Sequence, residues 1–121
     1  MSQAADSCLD PAALARLHQL GGAKFVREMI TLFLDYAPQR IRDARDAQHA
    51  GDLLAIAKAV HPLRSGGGHV GAIHVQDLAT RIETLARQDA AGQIPPLLSE
   101  LETAWARARI QLEAERETRT L

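Results

Sequence analysis

The chain is poor in the residues that usually cross-link or staple a small protein: it has one cysteine, one tryptophan, one tyrosine and two phenylalanines in 121 residues. A single thiol, Cys8, excludes an internal disulfide and fits a reducing compartment; in a polar N-terminal stretch it reads as an exposed thiol. No apolar run approaches the ~20 residues that span a bilayer, and the opening MSQAADS has neither basic nor apolar signal character, so a cytoplasmic, non-membrane protein is expected. The net charge is -1 with both signs interspersed, which leaves no basic face for nucleic acid. There is no internal repeat, no low-complexity linker, no P-loop and no kinase-type nucleotide motif. Met1 and the missing linker favour a free-standing protein. What is abundant is alanine, leucine and arginine within a 46% apolar composition, and β-branched residues are sparse. That mixture favours helices, and the length suits one domain with a real core.

Taken in order, residues 1–9 read as a flexible tail. Asp10-Pro11 supplies an N-cap followed by proline at the first helical position, and Gly21-Gly22 stops a short helix carrying Leu14 and Leu17. A second helix from Ala23 stripes Val26, Met29, Ile30, Phe33 and Ala37. The stripe resumes past Pro38 with Ile41, Ala44 and Ala47, which predicts one helix kinked at the proline or two nearly collinear pieces. Gly51-Asp52 closes it and caps a third, from Leu53 to about Gly68. A fourth carries Val75, Leu78, Ile82 and Leu85 to about Ala90. The fifth, entered at Pro95-Pro96, stripes Ile94, Leu98, Leu101, Trp105, Ala108 and Leu112, with fraying over 116–121. The predicted fold is all-α: an antiparallel up-down four-helix bundle with a short additional N-terminal helix, spanning 10–115.

The third helix holds the candidate site. Leu53, Ile56, Val60, Leu63, Gly67 and Val70 form its inward stripe, and His61 falls about 120° from the centre of that stripe at ~100° per residue. The imidazole therefore faces solvent, beside Leu54, Lys58, Ser65 and Gly68. Around it the chain gives up helix stability: Pro62 lacks an N–H, and Gly66, Gly67 and Gly68 each cost up to ~1 kcal/mol against alanine. One reading is that packing of Val60 and Leu63 tolerates these residues. The other is that bulk here would block an approaching partner, and it is favoured for the glycines; for Pro62 the two stand level.

These residues carry a resemblance. Val60-His61-Pro62-Leu63-Arg64-Ser65-Gly66-Gly67-Gly68-His69-Val70-Gly71-Ala72, followed by Leu78 and Ile82-Glu83, is similar to the signature of the histidine-containing phosphotransfer (HPt) domain of bacterial phosphorelays. Leu9-Asp10, Gly22, Phe25, Phe33 and Gly51-Asp52 also resemble recurrent positions of that family. The resemblance implies that His61 accepts a phosphoryl group and that Arg64, at the usual lysine position, steadies it with a planar fork instead of a compact ammonium. It also implies that Glu83 lies near the imidazole. Pro62 and the glycine triplet depart from the family pattern.

By chemistry, a phosphoryl-accepting imidazole must be neutral, and a carboxylate on one ring nitrogen would leave the other free to attack. The implied partners are response-regulator receiver domains and a hybrid sensor kinase, with the chain monomeric. The sequence shows no cofactor site of its own, so Mg²⁺ is expected on the receiver. Leu54 and Ala57, with Lys58, Ser65 and Gly68, are the expected docking surface. The alternative function is an adaptor that binds a receiver or kinase without being phosphorylated. A metal site from His61, His69 and His74 is disfavoured, because spacings of eight and five do not share a helical face. His18, His49, His69 and His74 default to ordinary surface or packing roles.

Overall fold

A computed structural model describes residues 8–119. Its helices are α1 (Pro11–His49), α2 (Leu53–Val70), α3 (Ile73–Arg87) and α4 (Ile94–Thr118), with a 3₁₀ turn over Ala91–Gln93 before α4. Each long helix packs on its two neighbours around the bundle, α1 on α2, α2 on α3, α3 on α4 and α4 on α1, with α2 the most extensively engaged. Short connections between neighbours of this kind produce the up-down antiparallel order.

The short first helix is present but joined to its successor. Asp10 caps it, accepting from the Ala12 N–H at 3.0 Å, and the chain breaks helical geometry at Gly22, where φ is 77° and ψ is -172°. That positive φ is cheap only without a Cβ. Gly22 is the sole interruption of α1: backbone dihedrals stay helical through Pro38, so of the two alternatives there the single continuous helix is the one formed.

α2 ends in a tight left-handed cap. Gly71 has φ 78°, its N–H reaches the Gly68 carbonyl, and the Ala72 N–H reaches the Gly67 carbonyl at 2.8 Å. This 6→1, 5→2 pair is the Schellman arrangement. The N-terminal segment then lies over the turn: Asp10 N–H bonds the Gly71 carbonyl at 2.8 Å, and Leu9 bridges Ala72. Cys8 and Leu9 are consequently buried, with the Cys8 N–H held by the Gln111 side chain on α4. The exposed thiol and the loose tail expected there are corrected for these two residues; 1–7 lie outside the described residues. At the other end α4 stays helical through Thr118, with Arg116 donating to the Thr31 hydroxyl at 3.2 Å, so fraying does not begin at Arg116. α3 ends at Arg87, earlier than Ala90, as the chain turns through Asp89 with φ 60°.

The inward stripes hold closely. Val60, Leu63, Ile82, Ile94, Leu98, Leu101 and Leu112 are all fully buried. The few aromatics are concentrated rather than scattered: Phe33 meets Tyr36 and Trp105 edge-on, at centroid distances of 5.5 and 5.7 Å. From that cluster the Tyr36 hydroxyl donates to the Pro62 carbonyl at 3.1 Å, anchoring α2 directly behind the residue of interest.

Candidate functional site: an exposed histidine on a buried carboxylate

His61 stands on the outer arc of α2 with 58% of its side chain exposed. Its Nδ1 lies 2.9 Å from Oε2 of Glu83, which projects from α3 and is 4% exposed. Among the described residues Glu83 is the one charged side chain in the core, and three groups meet it there. His61 reaches Oε2, Arg64 reaches Oε1 at 3.3 Å through Nη1, and Arg87 reaches Oε2 through Nη2 at 3.0 Å and Nε at 3.3 Å.

Electrostatics decide the protonation. Burial by itself raises the carboxyl pKa of Glu83, but hydrogen bonds from Arg87, His61 and Arg64 outweigh it, and the net position is below the ordinary carboxylate value. An ionised carboxylate only accepts, so the imidazole donates from Nδ1, and in a neutral ring Nε2 then carries the lone pair. The ring is thus pinned by one nitrogen and offers the other to solvent.

The sequence model of the Hpt domain matches residues 28–116. The chain belongs to the Hpt domain family. A solved structure, histidine-containing phosphotransfer protein B (HptB) from Pseudomonas aeruginosa PAO1, is similar throughout: TM-score 0.85 at 25% identity, covering 92% of this chain and 96% of that one. Among curated proteins none matches significantly. Family and fold together support a histidine phosphotransfer role.

For this Hpt domain, the residues singled out by sequence divide into groups. His61, Arg64 and Glu83 converge. Leu54, Lys58 and Ser65 are exposed on the same arc, Leu54 at 60%. Ala57 is not: it is buried at 1%, because α2 packs on both α1 and α3 and its buried arc is wider than one stripe. Helical spacing sets Ala57 on the flank that carries His61 and Arg64 toward α3, and there its short methyl stays within the seam.

Gly66 and Gly67 serve packing more than access. A Cβ at Gly66 would overlap the Tyr36 hydroxyl, one at Gly67 would lie 3.3 Å from the Gln76 backbone nitrogen, and one at Gly68 would lie 2.6 Å from Gln76 Nε2. Gly68 is half-buried beneath the flexible end of the Gln76 side chain of α3, so packing does not demand a glycine there. His69 and His74 line different grooves, the first between α1 and α2 and the second between α3 and α4. No group of three or more His, Cys, Asp or Glu able to hold a metal occurs among the described residues. Nor is any helix among them long and apolar enough to cross a membrane.

Sequence reasoning missed Arg87 and Tyr36. Arg87 was within reach, since it stands four residues after Glu83 and i,i+4 carboxylate–arginine pairs meet on one helix face. Tyr36 carried no such signal, because its partner is a backbone carbonyl on another helix.

The depressed pKa makes the cluster a source of pH-dependent stability. Its contribution is complete above the unfolded carboxylate pKa, near 4.5, and is lost as pH falls through the lower folded value. Glu83→Gln is expected to lower stability by about 1–3 kcal/mol at pH 7. In urea titrations from pH 7 to pH 3 the gap between variant and wild type should close with acidification; a gap independent of pH would contradict an ionised Glu83.

Proposed function

We propose that this chain is a phosphorelay intermediate whose His61 takes a phosphoryl group from the aspartyl phosphate of one receiver domain and passes it to another. The observation that supports this most is the exposed imidazole bonded through Nδ1 to a buried, ionised carboxylate. In the forward step the Nε2 lone pair attacks phosphorus, the P–O bond to the aspartate breaks, and the aspartyl carboxylate leaves with the electron pair. The Nδ1–H stays on the ring, whose new positive charge is stabilised by Glu83. Arg64, half exposed and held by one long contact, turns to the phosphoryl oxygens. The return to a second receiver is the same displacement reversed.

This chain brings no nucleotide motif, and the Mg²⁺ such a transfer uses belongs with the receiver's own carboxylates. Docking falls to the outer arc of α2, through Leu54, Lys58 and Ser65. Beside that arc lies a groove of about 300 Å³ lined by Met29, Leu32, Phe33, Tyr36, Pro62 and His69 among others. Leu32 stands 56% exposed at this groove. An apolar rim next to a polar reacting group excludes water while leaving the nucleophile accessible. The reading places a monomer in the cytoplasm, charged through the receiver of a hybrid sensor kinase.

The test is a two-step transfer. A receiver labelled on its aspartate is expected to give this chain an acid-labile, alkali-stable phosphoryl group, which then moves to a second, unlabelled receiver. Tight receiver binding with no label on the chain would overturn the relay and leave an adaptor.

A further inference from the structure

Glu83 is served by two arginines of different standing. Arg64 belongs to α2, sits one turn beyond His61, and touches only Oε1, at 3.3 Å. Arg87 belongs to the same helix as Glu83 and makes two contacts to Oε2, at 3.0 and 3.3 Å. Oε2 is also the oxygen that accepts from His61 Nδ1. The local pair on α3 therefore does not depend on how α2 side chains rearrange, whereas the Arg64 contact does.

We propose that Arg87 is a positioning residue for transfer at His61: its two contacts hold Oε2 of Glu83 aimed at Nδ1, so that Arg64 is free to leave Glu83 for the incoming phosphoryl group. This rests on the reading of His61 as the acceptor. A buried carboxylate with no cation beside it takes up a proton or forces a neighbouring charge to stay. Without Arg87, only Arg64 remains to neutralise Glu83 until transfer puts a charge on the ring itself. Arg64 cannot then hold a phosphoryl group without leaving Glu83 bare, and a protonated Glu83 no longer selects the Nδ1–H tautomer. The division of labour also fits the charge count. Before the ring gains its charge, the approaching phosphoryl oxygens and the Glu83 carboxylate need a cation each, and Arg64 and Arg87 supply them.

The experiment compares wild type, Arg87→Ala and Arg87→Lys. The Arg87 side chain is 57% exposed, so the variants are expected to fold, which circular dichroism checks. Phosphoryl uptake from a labelled receiver should fall by about tenfold to a hundredfold in Arg87→Ala, the usual cost of losing a group that orients a reacting one. Arg87→Lys, with the charge but not the fork, should recover part of the rate.

The readouts that a merely structural role would leave unmoved are two. Ring ¹⁵N chemical shifts of unphosphorylated His61 should show the Nδ1–H tautomer dominant in wild type and diminished in Arg87→Ala. The acid limb of the uptake rate should move to higher pH, the groups facing Glu83 being His61 and Arg64 from α2 and Arg87 from α3. Unchanged tautomer and pH profile in Arg87→Ala would overturn the proposal. Failure of wild type to take up any phosphoryl group would instead overturn the acceptor reading, and the tautomer measurement, which needs no transfer, keeps the two outcomes apart.

Discussion

Exchanging His61 for glutamine is expected to reduce phosphoryl uptake from stoichiometric to undetectable while leaving the fold intact. The imidazole is more than half exposed and its partner Glu83 retains both arginines, so the change removes a nucleophile without opening the core. Glutamine can still donate from its amide toward Glu83, which keeps the buried acceptor satisfied. Stability is expected to stay within about 0.5 kcal/mol of wild type, the usual span for a surface position. The check is paired: label incorporation from a phosphorylated receiver beside a thermal or urea melt. Loss of uptake together with a large loss of stability would mean that His61 is structural. Retained uptake would move the acceptor to another residue.

The second large effect lies five residues beyond the histidine, on the inner side of α2. Gly66→Ala places a methyl where the Tyr36 hydroxyl already is and 2.9 Å from Phe33 Cδ1, so the aromatic cluster has to move. Displacing Tyr36 also removes its hydrogen bond to the Pro62 carbonyl, worth about 1 kcal/mol. Overpacking costs typically 1–3 kcal/mol, and the helix-propensity gain of alanine over glycine returns up to about 1. The net is a destabilisation of about 1–3 kcal/mol, or several degrees in melting temperature for a domain of this size.

Two companions sharpen the Gly66 measurement. In Tyr36→Phe the hydroxyl is gone, so Gly66→Ala should cost less there than in wild type, though Phe33 still limits the relief. At Gly68 the added methyl meets only the far end of the long Gln76 side chain, which can turn aside, and Gly68→Ala should be neutral or slightly stabilising. Equal costs at Gly66 and Gly68 would contradict the packing account.

These glycines mark where sequence reading stops. Periodicity is a property of one helix, so the inward stripes from Val26 to Leu112 and the outward placement of His61 were legible from spacing alone. What each helix meets depends on the neighbour's register, which no single-helix pattern contains. Gly66 read as clearance for a partner because nothing in its own helix points to Tyr36. Ala57 read as part of a docking face because a single stripe understates the arc that α2 buries between two neighbours.

Cys8 fails for the same reason in another form. Cys8 and Leu9, which follow a polar-looking stretch, are tied down by the Leu9–Ala72 bridge and by Gln111, contacts far away in the sequence. The pairing of Glu83 with His61 came only from resemblance to the Hpt family, since the offset of α3 against α2 decides which residue of α3 faces the imidazole. Arg87 was legible as a partner of Glu83 by i,i+4 spacing, but its importance appears only once Glu83 is known to be buried.

The central claim is that Glu83 holds His61 by Nδ1 so that Nε2 does the chemistry. The most direct test is ³¹P and ¹⁵N NMR of the chain after phosphorylation by a receiver. The account requires a phosphorus–nitrogen coupling to Nε2 of His61, with Nδ1 still protonated. Phosphorus on Nδ1, or on any residue other than His61, would contradict it.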